Sequence, residues 1–246
     1  MAKVVAVIPC FDHPHTIGAM VAAVADHGLR VIVVDDGSGA ACAGVLNTLQ
    51  ITYADSMELL RLPTNQGKGA AMMAGLRSAH SQGYTHALQI DADGQHAVAD
   101  IPKFLRASAD HPRAVIYGQP CYDCTVPKLR LYGRYLTHVW VWINTLSLEI
   151  KDSMCGFRVY PLTTVVALLN RVPLGRRMDF DPEVLVRLHW QGVPLVAIAT
   201  KVAYPVDGVS HFKQLLDNAL LARMQARLFV GMVLRLPTLV GCKPRC

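Results

Sequence analysis

The chain has 246 residues, 52% of them hydrophobic and 17% charged, with a formal net charge of +6. Its pI is near 9.0 and its mean hydropathy is +0.28. These values exclude a largely disordered chain, allow one large domain or two small ones, and suit an anionic partner.

Residues 3–8, "KVVAVI", read as a buried strand stopped by Pro9. The polar turn "CFDHPHT" leads into an alanine-rich helix, "IGAMVAAVADHG", closed by Gly28. "RVIVVDDGS" is a second strand ending in Asp35 and Asp36, and the next strand is expected near "MELLRLP". "NQGKGAAMMAGLRSAHSQG" is a glycine turn feeding a helix with one face of small residues. "THALQIDADGQH" is a fourth strand, ending in two aspartates, a glutamine and a histidine. Short apolar strands separated by helices imply parallel βαβ units, whose ligand site lies outside the carboxyl ends of the strands. The polar clusters "CFDH", "VVDDGS" and "IDADGQH" should therefore converge in one crevice.

After about residue 100 come a helix at "VADIPKFLRASAD", a strand at "AVIYGQ" and a helix rich in aromatic and basic residues, "KLRLYGRYLTHVWVWINTLS". A short strand, "GFRVYP", precedes helices at "LTTVVALLN" and "FDPEVLVRLHWQG", and "PLVAIATKVAY" is the last strand. No linker or repeat separates the halves. Residues 1–210 read as one α/β domain, with a donor half at 1–118 and an acceptor half at 119–210. Residues 211–246 form a helical tail with Arg223, Arg227 and Arg235 along it, suited to a membrane interface or to packing on protein. No apolar run is long enough to span a bilayer, and the N-terminus turns polar too soon for a signal peptide. The expectation is a cytoplasmic protein, with membrane contact peripheral and on the inner face. The seven cysteines read as free thiols, since Cys121 and Cys124 have the spacing of half a zinc knuckle but lack a partner pair.

Asp91 and Asp93 can point at one cation from a turn. Hard ions such as Mg²⁺ or Mn²⁺ take such oxygen ligands and keep positions open for substrate phosphates. Gln95 adds a neutral oxygen, whereas His96 is equally a turn residue. Asp35 and Asp36 suit hydrogen bonds from ribose or a base. Lys68, in a glycine loop before a helix, suits phosphate or a base carbonyl. The loop is neither a P-loop nor a dinucleotide fingerprint. Together the features describe a nucleoside-diphosphate site with a divalent ion. Arg130, Arg134 and Arg158 are candidates to hold an anionic acceptor, and surface solvation is their plainer reading.

These residues carry a resemblance. The chain resembles an inverting glycosyltransferase of family 2 with the GT-A fold, closest to the dolichyl- or polyprenyl-phosphate mannosyl- or glucosyltransferase branch, over about residues 3–215. "VIPCFDHPHTI", "VVDDGS", "NQGKGAAMMAG", "DADGQH" and "DSMCGFRVY" are similar to family segments and occur in the family's order. The resemblance implies that Pro9 and Asp12 shape the base pocket, Asp36 holds the nucleoside, and Asp91 contacts ribose, phosphate or the metal through water. It implies Asp93 and Gln95 as metal ligands, and Arg130, Arg134 and Arg158, with Ser153 nearby, as the grip on a lipid phosphate. Asp12 and His13 stand where the family usually has Asn and Glu. Met154 and Cys155 replace a Thr-Ser pair common in the lipid-phosphate enzymes. "RRMDFDPEVLVRLHWQG" and "YPVDGVSHFKQLLDN" look like a bacterial subgroup making aryl-polyene pigments or related glycolipids, in which the acceptor is a hydroxyl.

The implied activity is transfer of a hexosyl group from a UDP- or GDP-linked sugar to a lipid-linked phosphate or hydroxyl. A phosphate acceptor is already ionised, whereas a hydroxyl needs a carboxylate within about 3 Å. Asp152 and Asp181 are the candidate bases. The competing accounts are an inactive nucleotide-sugar-binding protein and a sugar-phosphate nucleotidyltransferase. The second would need a glycine-rich loop after the first strand, and "PCFDHPHT" has no glycine. Nucleic acid is disfavoured as a partner because the basic residues form no stripe with interleaved aromatics.

Overall fold

The computed structural model describes residues 2–121, 128–202 and 214–241, with the side chains of 128–132 and 240–241 outside that description. Seven strands form one sheet in the order β3-β2-β1-β4-β6-β5-β7. They are β1 (Val4–Cys10), β2 (Arg30–Asp35), β3 (Met57–Arg61), β4 (His86–Gln89), β5 (Val115–Cys121), β6 (Arg158–Pro161) and β7 (Leu195–Lys201). Among the described strands only β6 runs against its neighbours: it pairs antiparallel with both β4 and β5, and every other pair of strands is parallel.

Alternation along the strands sends successive side chains to opposite faces. Val5, Val7, Ile32 and Val34 join one core with α3 (Lys68–Ser81), α6 (Leu162–Arg171) and α7 (Phe180–Trp190). Ala6, Ile8, Val31 and Val33 join the other with α1 (Ile17–Ala25), α2 (Ala40–Thr52) and α4 (Ile101–Asp110). The result is a three-layer α/β/α sandwich around a mainly parallel sheet. The small-residue face of α3 has a steric cause, because a Cβ on Gly75 would sit 2.4 Å from Val7 Cγ1.

Pro9 does not stop the first strand, which runs on to Cys10. Its backbone nitrogen points to the side of β4, and β4 pairs only with Val4–Val7, so the missing N–H removes no ladder bond. Cys10 O on the other side accepts the Asp36 N–H at 2.8 Å. Cys10, Cys42, Cys121 and Cys155 are free thiols. Cys124, the other half of the zinc-like pair, lies outside the described residues.

The tail helix α8 (Gln214–Val233) belongs to the sandwich along one face. Leu221, Met224 and Leu228 are buried against the core, and Gln225 Oε1 accepts Asn144 Nδ2 at 2.7 Å from α5 (Lys128–Thr145). Arg227 reaches the buried Glu183 of α7 at 2.7 Å. The exposed residues of α8 include Arg223 as well as apolar side chains: Phe229 meets Trp140 of α5 edge-on, with centroids 6.4 Å apart, and the two rings are 41% and 39% exposed. Tyr135, Leu136 and Ile143 of α5 and Val230 and Val233 of α8 are also exposed, and these apolar residues are termed the ridge. Among the described residues no helix is long and apolar enough to cross a membrane.

Candidate active site

The carboxyl ends of β1, β2 and β4 lie side by side, and the loops leaving them carry the acidic clusters. Asp12 adopts a left-handed backbone (φ 51°), accepts the Gly39 N–H on Oδ1 at 2.8 Å and donates its own N–H to Ser38 Oγ at 3.0 Å. The loops after β1 and β2 are thereby laced together. Asp35 is buried, accepting Ser38 N–H and Arg61 Nε, both at 2.9 Å. Asp36, also buried, accepts the N–H groups of Gln66 and Gly67 at 2.7 and 2.8 Å. Burial raises the Asp36 carboxyl above its ordinary range despite those two bonds. Its first task is to shape the glycine loop; a nucleoside would meet it as a second partner. Gly67 (φ 102°) must be glycine, since a Cβ there would lie 2.4 Å from Arg176 O.

Lys68 opens α3 and sends its ammonium between two carboxylates, 2.8 Å from Asp91 Oδ2 and 2.8 Å from Asp181 Oδ2. Burial alone would discharge the lysine, but the attraction of Asp181 and Asp91 outweighs it and holds the group charged. Burial likewise opposes the charge on Asp91, and Lys68 and His96 overcome it, keeping that carboxyl far below its usual range. His96 Nε2 stands 3.5 Å from Asp91 Oδ2. Burial works against its charge too, yet the neighbouring Asp91 carboxylate and Cys155 thiol push it up to about 10. Asp181 lies in the first turn of α7 and takes Gln89 Nε2 on its other oxygen at 3.0 Å. Helix α7 is preceded by Asp179, so Asp181 is a first-turn residue and not the cap.

Gly156 closes this cluster from the acceptor half. A Cβ there would fall 2.3 Å from Asp91 Oδ2. Gly156→Ala should displace the Asp91 carboxylate from Lys68 and destabilise the protein by about 1–3 kcal/mol, the ordinary cost of overpacking. Thermal denaturation with the donor-binding assay checks this: a variant with unchanged melting temperature and unchanged donor affinity contradicts the contact.

Asp93 and Gln95 occupy the turn that follows, with Gly94 at φ 73°. Asp93 Oδ1 accepts the Gln95 N–H at 3.0 Å. Its second oxygen and the Gln95 amide make no hydrogen bond or ion pair with the described residues. One carboxylate oxygen and one amide oxygen suit a hard ion that completes its shell with phosphate and water. Among the described residues no group of three His, Cys, Asp or Glu side chains is placed to hold a metal by itself. The residues therefore fit a divalent ion as a partial ligand set only.

The acceptor half differs from expectation. Arg158, expected to grip the acceptor, is 0% exposed. Its Nε donates to Cys155 O at 2.8 Å and its Nη2 to Ser153 O at 2.7 Å. Its Nη1 donates to Asp181 O at 2.7 Å and to Tyr160 Oη at 3.0 Å. A guanidinium consumed in this way braces the site and does not meet an acceptor. Asp152 does not orient Arg158; it takes Arg134 in a bidentate pair, both contacts 2.7 Å. His138 Nε2 lies 3.2 Å from Asp152 Oδ2, and Met154 and Cys155 donate N–H groups to Oδ1. Burial would raise the Asp152 carboxyl, but His138 and Arg134 outweigh it and hold it below the usual range, which makes it a poor base. Ser153 is wholly buried, with Oγ 3.2 Å from His138 Nδ1. The Arg130 side chain lies outside the described residues.

Two arginines not singled out in the sequence border the donor loop. Arg176 contacts the Gln66 side chain, and Arg177 Nε donates to Asp217 of α8 at 2.9 Å. With Asn65, Asp179 and Leu220 they line an open cleft of about 610 Å³. The repeated arginine in "RRMDF" was the available signal, but its spacing gave no hint of a partner on the tail helix.

A mainly parallel sheet with acidic loops converging at its carboxyl edge defines the chain as an enzyme of the GT-A nucleotide-sugar transferase class. Residues 5–174 match the profile of glycosyl transferase family 2, and the chain belongs to that family. An uncharacterized protein of Methanocaldococcus jannaschii is 24% identical over 223 residues, covering 87% of this chain and 95% of that one. A dolichyl-phosphate β-glucosyltransferase of Dictyostelium discoideum is 22% identical over 179 residues, covering 69% of this chain. The chain spans about half of that relative, 54% of its length. The solved glucosyl-3-phosphoglycerate synthase of Mycobacterium tuberculosis, in complex with Mn²⁺ and UDP-glucose, shares the fold. Its TM-score is 0.66 at 12% identity, covering 94% of this chain and 79% of that one.

Proposed function

We propose that the chain transfers a hexosyl group, with inversion, from a UDP- or GDP-linked sugar to a lipid-linked phosphate at a membrane surface. The observation that carries this reading is the convergence of Asp12, Asp36, Lys68, Asp91 and Asp93 at adjoining strand ends. Pro9, Asp12 and Asp35 would frame the base pocket, and Asp36 would set the glycine loop against the nucleoside. Asp93 and Gln95 would hold Mg²⁺ or Mn²⁺, which supplies Lewis-acid charge for the departing nucleoside diphosphate. That the matched relative is a dolichyl-phosphate enzyme supports the acceptor class.

The acceptor choice also draws support from the two candidate bases. Asp152 carries Arg134, His138 and two backbone N–H groups, and both Asp181 oxygens are engaged by Lys68 and Gln89. Neither is poised to take a proton, and an ionised phosphate needs none. The apolar ridge of α5 and α8, with Arg223 and Arg235 exposed along α8 and just beyond it, suits a bilayer interface and would bring a lipid-linked acceptor to the site. A hydroxyl acceptor, as in the glycolipid- and pigment-making subgroup, is the alternative.

Labelled UDP- and GDP-hexoses, Mn²⁺ and vesicles carrying either a polyprenyl phosphate or the matching alcohol test the reading. Label should enter the organic phase with the phosphate at least about tenfold faster than with the alcohol, a difference of about 1.4 kcal/mol in barrier. Equal or faster transfer to the alcohol overturns the acceptor assignment.

A further inference from the structure

Arg158 is spent on buried carbonyls and Arg134 on Asp152. Open guanidinium edges lie instead at Arg176 and Arg177, on the turn between α6 and α7. Three hydrogen bonds fix that turn: Gly175 N–H to Glu183 Oε2 at 2.8 Å, Ala70 N–H to Arg176 O at 2.9 Å, and Arg177 N–H to Asp179 Oδ1 at 3.0 Å. It lies directly on the start of α3, where a Cβ on Gly69 would sit 2.7 Å from Gly175 O. Asp217, buried in the first turn of α8, takes Arg177 Nε and sets the direction of the guanidinium. Arg177 is 22% exposed, and its Nη1 and Nη2 make no hydrogen bond or ion pair with the described residues. Arg176 is exposed and gives Nη2 to Gln66, keeping Nε and Nη1. Both side chains line one cleft, and such edges match the oxygens of a phosphate.

The lining of the cleft selects among phosphates. One wall is Leu220 of α8, and Leu216, one turn earlier on the same helix face, is 46% exposed. A phosphate monoester with an alkyl chain can set its head on the arginines and its first carbons on these leucines. A nucleoside diphosphate has no alkyl group for them. Asp179 and Asp217 offset the charge of the two arginines, so affinity rests on the fork geometry and the apolar wall and not on net charge. We propose that Arg176 and Arg177 form the subsite for the phosphate of a lipid-linked acceptor, with the start of its chain along Leu220 and Leu216. The inference rests on the transfer reading above and gives its acceptor a place.

The test is a calorimetric titration of the full chain with geranyl phosphate, geraniol and inorganic phosphate, and with UDP and GDP in the presence of Mn²⁺. Wild type should bind geranyl phosphate at least about tenfold more tightly than geraniol or inorganic phosphate, because head and chain both contribute. Arg176→Gln and Arg177→Gln should each weaken geranyl phosphate by about tenfold and leave nucleotide affinity within about twofold of wild type. Arginines that merely supported the turn would move both ligands together. No binding of geranyl phosphate, binding unchanged in both variants, or binding matched by inorganic phosphate overturns the subsite. An equal loss of nucleotide affinity also overturns it, because the arginines would then serve the donor. Should Arg177→Gln fail to fold without its pair to Asp217, Arg176→Gln, at an exposed side chain, decides. Arginine-dependent binding of geranyl phosphate, with no hexose reaching it from any UDP- or GDP-linked sugar, leaves the subsite standing and overturns the transfer reading.

Discussion

Arg158→Met is expected to lower the melting temperature by about 6–20 °C, the largest stability effect of any single change at the site. The side chain is fully buried and sits on the antiparallel strand β6, between Gln89 of β4 and Tyr117 of β5. It satisfies the carbonyls of Ser153, Cys155 and Asp181 and the hydroxyl of Tyr160. Methionine preserves much of the volume but orphans those acceptors and removes a cation beside Asp181. Breaking a buried pair of this kind costs about 3–5 kcal/mol, and each kcal/mol moves the transition of a chain of this size by about 2–4 °C. Arg158→Lys should recover only part of the loss, because one ammonium cannot replace a fork that serves four acceptors. Differential scanning calorimetry decides the matter. A methionine variant within about 2 °C of wild type would show that the guanidinium does not brace the site.

Asp93→Ala is expected to leave the fold intact and to abolish transfer for practical purposes. The carboxylate makes one hydrogen bond, to the Gln95 N–H inside its own turn. Its removal should therefore cost within about 0.5 kcal/mol of stability. Lewis-acid stabilisation of a leaving group is worth several kcal/mol, and each 1.36 kcal/mol is tenfold in rate. Turnover should accordingly fall by about 10²–10⁴-fold, with a loss of Mn²⁺ dependence that Asp91→Asn would not share. Steady-state turnover at saturating donor, with and without Mn²⁺, gives both quantities. A loss smaller than tenfold with metal dependence intact would remove Asp93 from the proposed ligand set.

The sequence made the donor edge of the fold legible because apolar runs of β-branched residues end abruptly in polar ones, and such ends share one edge of a parallel sheet. "CFDH", "VVDDGS" and "IDADGQH" therefore map to neighbouring loops from the sequence alone. Pro9 was misleading, since a proline breaks a strand only where the ladder needs the N–H that it lacks. Helix α2 was faint because little of it is core, with Cys42 and Leu46 its buried residues. Arg158 was read as an acceptor contact because arginine suits bidentate contacts with an anionic acceptor and because the family resemblance implied that role. Only the carbonyls arriving from Ser153, Cys155 and Asp181 turn it into a buried brace, and no spacing rule anticipates that. The same holds for Lys68, whose link to Asp181 depends on α7 folding back over α3. The tail offered membrane or protein as alternatives; one face of α8 is core, and the other carries the exposed ridge.

The central claim is that the acidic edge binds a nucleoside-diphosphate sugar together with a divalent ion. The most direct measurement is the melting temperature of wild type and Asp93→Ala across UDP- and GDP-linked hexoses, each with and without Mn²⁺. One donor should stabilise wild type by several degrees only when Mn²⁺ is present, and should do so weakly or not at all in Asp93→Ala. Stabilisation by no donor, or by a donor equally well without the ion and in the variant, would contradict the account.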